Sequence, residues 1–274
     1  MCPPETVIQA LNHVLATSEP GVQPRVSTTL VPKTPPNSYE EAAQWSQEYW
    51  PTVYRRMNPY GPQPAAIEKA EAQLRRNNVA GVMAYARAVA EEGKRAGIGF
   101  EIGAVVAERS WDTLSIVAAA GDARCHSGSN RPGANPLEHA VMRAIGMVAK
   151  QRRILLRGRD TDPQEEGDEP LTTLEANTVL ASELKPSGYL CVDLEIFITH
   201  QPCVMCSMAL LHSRFGRVVF GHQMPKTGGL TAEREGVGLG YGLFWRPELN
   251  WKFLAWRWED ENEGDQMIDD DTHA

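Results

Sequence analysis

One histidine and one pair of cysteines constrain this chain more than anything else in it. They are His139, and Cys203 and Cys206 within the run Pro202-Cys203-Val204-Met205-Cys206. A Cys-x-x-Cys pair at the start of a helix presents two thiolates on one side. The partial positive charge of the helix N-terminus lowers their pKa, which favours metal binding. His139 stands at the start of its own apolar-periodic segment and so also lies near a helix N-terminus. Two helices laid side by side on one sheet bring those starts together. Three ligands of these types suit tetrahedral zinc and leave its fourth position open. Each part alone is weak, since a lone Cys-x-x-Cys is commonly incidental or a redox dithiol, and a lone histidine near a helix start is commonly structural. Their combination, with a strand running into the cysteines, makes zinc the better reading.

The flanking pattern places these residues on elements. From Pro64 to Arg95, Ile67, Ala70, Leu74, Val82, Tyr85 and Val89 fall at helical spacings, which predicts a helix ended by Gly97-Ile98-Gly99. Residues 102–107 and 114–120 are β-like and are joined by a polar stretch, 108–113, which reads as a hairpin. Asn135 is a good N-cap, Pro136 fits the first helical position and Glu138 completes a capping-box pattern. The helix carrying His139 is therefore expected to open there, with Leu137, Val141, Ala144, Ile145 and Val148 as its buried stripe. Residues 194–199 (LEIFIT) read as a strand, Pro202 opens a helix that Gly216 ends, and 218–221 read as a further strand. The segment 253–258, apolar on both faces, reads as an interior strand. This succession describes one α/β layered domain over residues 64–258.

The flanks differ in character. Residues 1–63 hold ten of the nineteen prolines and read as an irregular arm wrapped on the surface, or else as a small accessory region, with a short helix over 39–49. The segment 154–186, rich in Arg, Asp, Glu, Gly and Pro, reads as an inserted loop with a candidate helix over 172–184. Residues 259–274 carry eight acids and no Lys or Arg, and are expected to form a solvated, disordered tail. A less favoured use for them is to fold back so that a carboxylate takes the open zinc position. The net charge of −8 belongs to this tail, so charge does not exclude an anionic partner such as RNA. No apolar run approaches the ~20 residues of a membrane span, and MCPPETVIQA lacks the pattern of a secretory signal. Five cysteines with one close pair argue against a disulfide framework and for a reducing compartment, the nucleus or the cytoplasm.

The spacing of His139, position 141 and Pro-Cys-x-x-Cys resembles the His-x-Glu…Pro-Cys-x-x-Cys signature of the zinc cytidine and tRNA adenosine deaminases. The resemblance covers roughly residues 64–258. It is carried by 135–145 (NPLEHAVMRAI), 189–191, 202–214 (PCVMCSMALLHSR) and 246–250 (RPELN). Within that superfamily the chain is most similar to the non-catalytic subunit of the eukaryotic heterodimeric tRNA wobble-adenosine deaminase. The resemblance implies a three-layer α-β-α cytidine-deaminase-like domain on a mixed five-stranded sheet, with zinc on His139, Cys203 and Cys206. It also implies a catalytic deaminase subunit as partner, tRNA as substrate, and conversion of adenosine to inosine at the first anticodon position.

The sequence departs from that signature where the chemistry is done. The general acid/base Glu of the family falls at Val141, and a valine cannot shuttle protons. Glu138 is about 100° away from His139 around a helix, and its capping role is the better reading. Asp122, after the second hairpin strand, lies near where catalytic relatives carry an Asn that contacts the nucleoside. It is a weaker candidate for a relocated acid. Trp251 stands where relatives often have His. The favoured reading is a zinc-stabilised pseudo-enzyme with no catalytic residue of its own. The alternative is a self-sufficient zinc-dependent nucleoside or nucleic-acid deaminase with a relocated acid/base. Lys150, Arg152, Arg153, Arg157 and Arg159 crowd the end of the His139 helix. They suit either the negative end of a helix dipole or tRNA phosphates, and the sequence leaves both open.

Overall fold

Apolar residues that alternate along the strand segments are divided between two sides of a sheet, as the computed structural model of the protein shows. The structure describes residues 36, 38–52, 62–76, 78–111, 113–127, 133–157, 169–181, 184, 188–232, 237–259 and 268–274. It divides into two units, 1–58 and 59–274. In the first, helix α1 (Tyr39–Glu48) is opened by Ser38, whose hydroxyl accepts from the Glu41 amide at 3.0 Å. Most of the Pro-rich arm lies outside the described residues.

The second unit carries α2 (Pro64–Arg76), α3 (Val79–Arg95), β1 (Gly103–Ser110), β2 (Thr113–Gly121), α4 (Ala140–Arg157), α5 (Thr173–Ala181), β3 (Leu194–His200), α6 (Val204–His212), β4 (Arg217–His222) and β5 (Leu254–Arg257). The strands form one mixed sheet in the order β2-β1-β3-β4-β5. β1 is antiparallel to both β2 and β3, and β4 is parallel to both β3 and β5. Ala104, Val106, Ile196, Ile198, Val218 and Phe220 face α4 and α6, while Val105, Ala107, Phe197 and Val219 face α3. This is the three-layer arrangement expected. Burying a side chain such as Phe197 completely contributes about 1.5–3 kcal/mol.

The edge strand β2 is not left bare. Outward-facing main-chain groups of an edge strand are templates for further pairing unless something covers them. Here α5, within the segment expected to be an inserted loop, packs against β2. Glu175 of α5 accepts from the Gly121 amide at 2.8 Å, and Arg143 of α4 donates to the Gly121 carbonyl at 2.6 Å. Arg143 and Glu175 also pair with each other at 2.7 Å, both fully buried. Gln151 donates to the Val117 carbonyl at 3.0 Å. On the opposite side, Tyr85 Oη of α3 donates to the Leu174 carbonyl at 2.9 Å. Breaking a buried pair by removing one partner costs roughly 3–5 kcal/mol, because the other charge is stranded. Glu175→Ala is therefore expected to lower unfolding free energy by about that much in urea titrations. A loss near the ~1 kcal/mol typical of any substitution would mean that water reaches Arg143.

Several boundaries differ from the sequence expectation for physical reasons. The helix expected over 64–95 is two helices. Asn78 caps the second, accepting from the Gly81 amide at 2.9 Å, which ends the first. The polar stretch 108–113 is largely strand, with Trp111 at φ 52° where the two strands turn. Asn135 does not cap α4. It builds a separate turn, accepting from the Leu137 amide at 3.1 Å and donating to Glu138 Oε1 at 3.1 Å, and α4 opens only at Ala140. The strand over 253–258 is not interior: β5 is the far edge. It is apolar on both faces because Ala255 packs into one layer and Trp258 beside it into the other. The tail expected to be solvated is packed over residues 268–274, with Ile268 and Ala274 on the main core. No described helix is long and apolar enough to cross a membrane.

Candidate metal centre

The candidate metal ligands meet where one strand and two helix starts converge. Strand β3 delivers Cys203 as the residue before α6, in extended backbone at φ −66° and ψ 176°. Cys206 follows within the first turn of that helix. His139 precedes α4, and its carbonyl accepts the first helical bond, from the Arg143 amide at 3.0 Å. His139 Nδ1 lies 3.8 Å from Cys203 Sγ and 3.5 Å from Cys206 Sγ, and all three donor atoms fall within 4.8 Å of one another. A tetrahedral zinc with ordinary Zn–S and Zn–N bonds sets its sulfur and nitrogen ligands about 3.6 Å apart. The side chains as they stand therefore fit a zinc ion. All three are buried, and among the described residues no Asp or Glu side chain joins the cluster.

The electrostatics point the same way. The hydrogen bond from Cys206, together with those from His139, pulls the Cys203 thiol down to about 4 against the effect of burial. The Cys206 thiol is pushed up, first by the Cys203 sulfur beside it and then by burial. One sulfur thus carries negative charge and hinders the other, a conflict that a divalent cation between them removes. A redox pair would need neither the histidine at this spacing nor its exclusion from solvent.

Val141 is completely buried beside the ligands, in the cluster that contains Ala140, Cys203 and Cys206. No proton-transfer group stands there. Asp122 is close enough to influence Cys206, but it is fully engaged. Its Oδ1 accepts from the amides of Phe100 at 3.1 Å and Arg124 at 3.2 Å, and its Oδ2 accepts from Arg124 Nε at 2.7 Å. Arg124 is fixed in turn over the Phe100 ring, 4.6 Å from its centre. Gly99 lets this loop close, since a Cβ there would meet the Asp122 carbonyl oxygen at 2.2 Å. Glu138 is held by Asn135 and is not among the ligands. Trp251 packs, donating to the Phe215 carbonyl at 2.8 Å under the Arg214 guanidinium.

The basic cluster at the end of α4 is divided. Lys150 pairs with Glu169. Arg152 is only 7% exposed and lies close enough to Cys191 to act on its thiol, so it is not part of a surface patch. Arg153 is exposed, while the Arg157 side chain and Arg159 lie outside the described residues.

A histidine pair, one ring buried and the other half-buried, escaped sequence reasoning. His200 and His222, at facing positions of β3 and β4, stack with ring centres 5.2 Å apart. Burial, and then His222, pushes the His200 ring down to about 3 from its usual 6.5. A group depressed in the folded state stabilises fully above its unfolded pKa and loses that contribution as pH falls. His200 should therefore cost about 2 kcal/mol of stability between pH 7 and pH 5. Unfolding titrations should show that fraction of the pH dependence vanish in His200→Leu, while titration of the metal ligands is common to both proteins. Identical pH profiles would mean that His200 accepts a proton without cost.

Comparison with known proteins agrees with this geometry. The model of the cytidine and deoxycytidylate deaminase zinc-binding region matches residues 76–222. The chain is 30% identical over 226 residues to the tRNA-specific adenosine deaminase subunit tad3 of Schizosaccharomyces pombe, covering 82% of this chain and 57% of that protein. It is 30% identical over 242 residues to subunit TAD3 of Saccharomyces cerevisiae, covering 88% and 62%. It is 28% identical over 243 residues to the human "Probable inactive tRNA-specific adenosine deaminase-like protein 3", covering 83% and 60%. The chain thus spans about three fifths of the length of these relatives. With the family match covering more than half of its residues, and the His/Cys/Cys set assembled at its centre, the chain belongs to the cytidine and deoxycytidylate deaminase zinc-binding family.

Proposed function

We propose that the chain is the non-catalytic, zinc-binding subunit of a tRNA adenosine deaminase that converts wobble adenosine to inosine. The observation that carries this reading is Val141: an intact ligand set surrounds a buried apolar side chain where the general acid/base would stand. In this reading His139, Cys203 and Cys206 hold zinc to fix two helix starts against the sheet, and the ion serves stability rather than turnover. The names of the relatives support assignment to such a subunit. The partner is a catalytic chain with an intact His-x-Glu site, and the complex works in the nucleus or the cytoplasm. The four described cysteines are free, which suits that setting. The engagement of Asp122 by Arg124 speaks against the alternative of a self-sufficient deaminase.

The partner reading is tested by co-expression with a catalytic tRNA adenosine deaminase subunit. A stable one-to-one complex is expected, and two chains that purify apart would remove the heterodimer. In that complex Lys150, Arg153, Arg157 and Arg159 are the proposed tRNA contacts, with Arg152 set aside by its burial. Reversing Lys150 and Arg153 to Glu should weaken tRNA binding about tenfold and flatten its salt dependence by roughly two charges, without changing which adenosine reacts. Unchanged affinity and slope would assign these residues to the helix end alone.

A further inference from the structure

At the end of the sheet away from the metal centre, the tip of the β1–β2 hairpin holds an indole out in solvent. Trp111 is 95% exposed, yet its backbone stands at φ 52°, a left-handed conformation that bulky side chains rarely adopt. Ser110 pairs with Thr113 across that tip, and Thr113 Oγ1 donates to the Ser110 carbonyl at 2.9 Å. Glycine or asparagine would hold such a turn without strain. The indole therefore neither suits the turn nor packs in the core.

Trp111 lines a cleft of about 870 Å³, within the range of roughly 300–1,000 Å³ usual for ligand sites. The cleft opens where β3, β4 and β5 begin. At ~3.3 Å per residue, β3 sets it about 20 Å from the strand end that delivers Cys203. Its floor is a buried charge cluster. Arg109 grips Glu195 through two bonds, Nε to Oε1 at 2.6 Å and Nη2 to Oε2 at 2.5 Å, and Arg217 Nη1 donates to the same Oε1 at 3.0 Å. Gln73 of α2 accepts from both guanidiniums, through its carbonyl from Arg109 and through Oε1 from Arg217. One carboxylate thus faces two guanidiniums. Burial pulls Arg217 below its ordinary pKa; Glu195 opposes this and Arg109 adds to it. On the cleft as a whole, Lys69, Arg109, Arg152 and Arg217 outnumber Glu108, Asp193 and Glu195 by one. A surplus of one positive charge suits a single phosphate and not a polyphosphate.

Resting on the proposed function, in which the complex acts on tRNA, we propose that this cleft binds an unpaired nucleotide of the RNA away from the reacting adenosine. Its base stacks on Trp111, and its phosphate meets the exposed Lys69 and the guanidiniums of Arg109 and Arg217. Every base offers a π-face to an indole, so the contact anchors a strand without reading its sequence. The distance from the metal centre makes the cleft an anchor for substrate and not a part of the chemistry.

The test measures the affinity of the chain, in complex with a catalytic deaminase subunit, for substrate tRNA and for a short single-stranded oligoribonucleotide. Trp111→Ala should weaken both about tenfold, the scale of one base stacked on an aromatic ring, while Trp111→Phe retains most of the affinity. With tRNA as substrate, Trp111→Ala should raise KM and leave kcat unchanged. Trp111→Gly should lose the same affinity without lowering the unfolding midpoint, since glycine relieves the left-handed backbone. A strand with abasic sugars keeps its phosphates and should bind wild type and Trp111→Ala alike. Lys69→Ala should weaken both strands and flatten their salt dependence by about one charge. Equal affinity of wild type and Trp111→Ala for tRNA and oligoribonucleotide would overturn the proposal alone, as would an equal loss on the abasic strand. AMP bound as tightly as the oligoribonucleotide would assign the cleft to a free nucleotide and overturn its role in holding RNA. A complex that binds no tRNA would overturn the functional reading, and the proposal with it.

Discussion

Replacing Cys203 or Cys206 with Ser is expected to abolish metal binding and to lower stability by about 4–5 kcal/mol or more, the range reached when a structural metal is lost. The size follows from what the three side chains do without an ion. Cys206 is wholly buried and His139 is 5% exposed, so neither can turn to water for hydrogen bonds. His139 and Cys203 sit at the starts of α4 and α6, so an ion held between them ties the two helix starts together. Elemental analysis should give about one zinc per intact chain and none for either variant. Chelator-treated wild-type protein should unfold at the denaturant concentration of the variants. A metal-free chain with an unchanged unfolding midpoint would remove zinc from the account altogether.

The isolated chain is expected to form no inosine, while a catalytic partner with an intact His-x-Glu site does so only in its presence. Zinc on His139, Cys203 and Cys206 would supply polarisation of a bound water. The remaining work of deamination, a proton to the ring and another to the departing amine, falls to side chains. Val141 can do neither, which removes a contribution of about 10²–10⁴-fold. Asp122 cannot compensate while Arg124 and two amides hold both its oxygens. Val141→Glu should restore little, because it places a charge in a buried apolar cluster. The assay is inosine in tRNA treated with this chain, with the partner, and with both. Robust turnover by this chain alone, abolished by Asp122→Asn, would favour a relocated acid over a pseudo-enzyme.

The ligand set and the sheet were legible in the sequence because both follow from short-range pattern. Two cysteines three apart, a strand leading into them and a histidine at a helix start fix their own local geometry, and alternation fixes which face each strand residue takes. What was not legible depends on partners remote in the chain. Arg143 reads as an ordinary polar interruption of a helix until Glu175 is set beside it, and nothing local announces that pairing. His200 and His222 become a pair only through the parallel register of β3 and β4. The tail misled by composition. Its acids argue for solvation, yet Ile268, Thr272 and Ala274 between and beyond them make the packing and main-chain contacts. Asn135 shows a different limit, in which the right capping residues spend their hydrogen bonds on a turn one step too early.

The shielding of β2 also bears on solubility during synthesis. The strand pairs with β1 across a tight turn, so the hairpin can form early, as local contacts generally do. Its outer rim, however, waits for Glu175, which emerges more than fifty residues later. Over that interval the nascent molecule presents an unpaired alanine-rich border, the kind of surface on which one copy adds to another by strand exchange. Aggregation should therefore track the integrity of α5 more closely than that of the metal ligands, and shortening the 154–186 segment through α5 should yield insoluble protein even where zinc is plentiful.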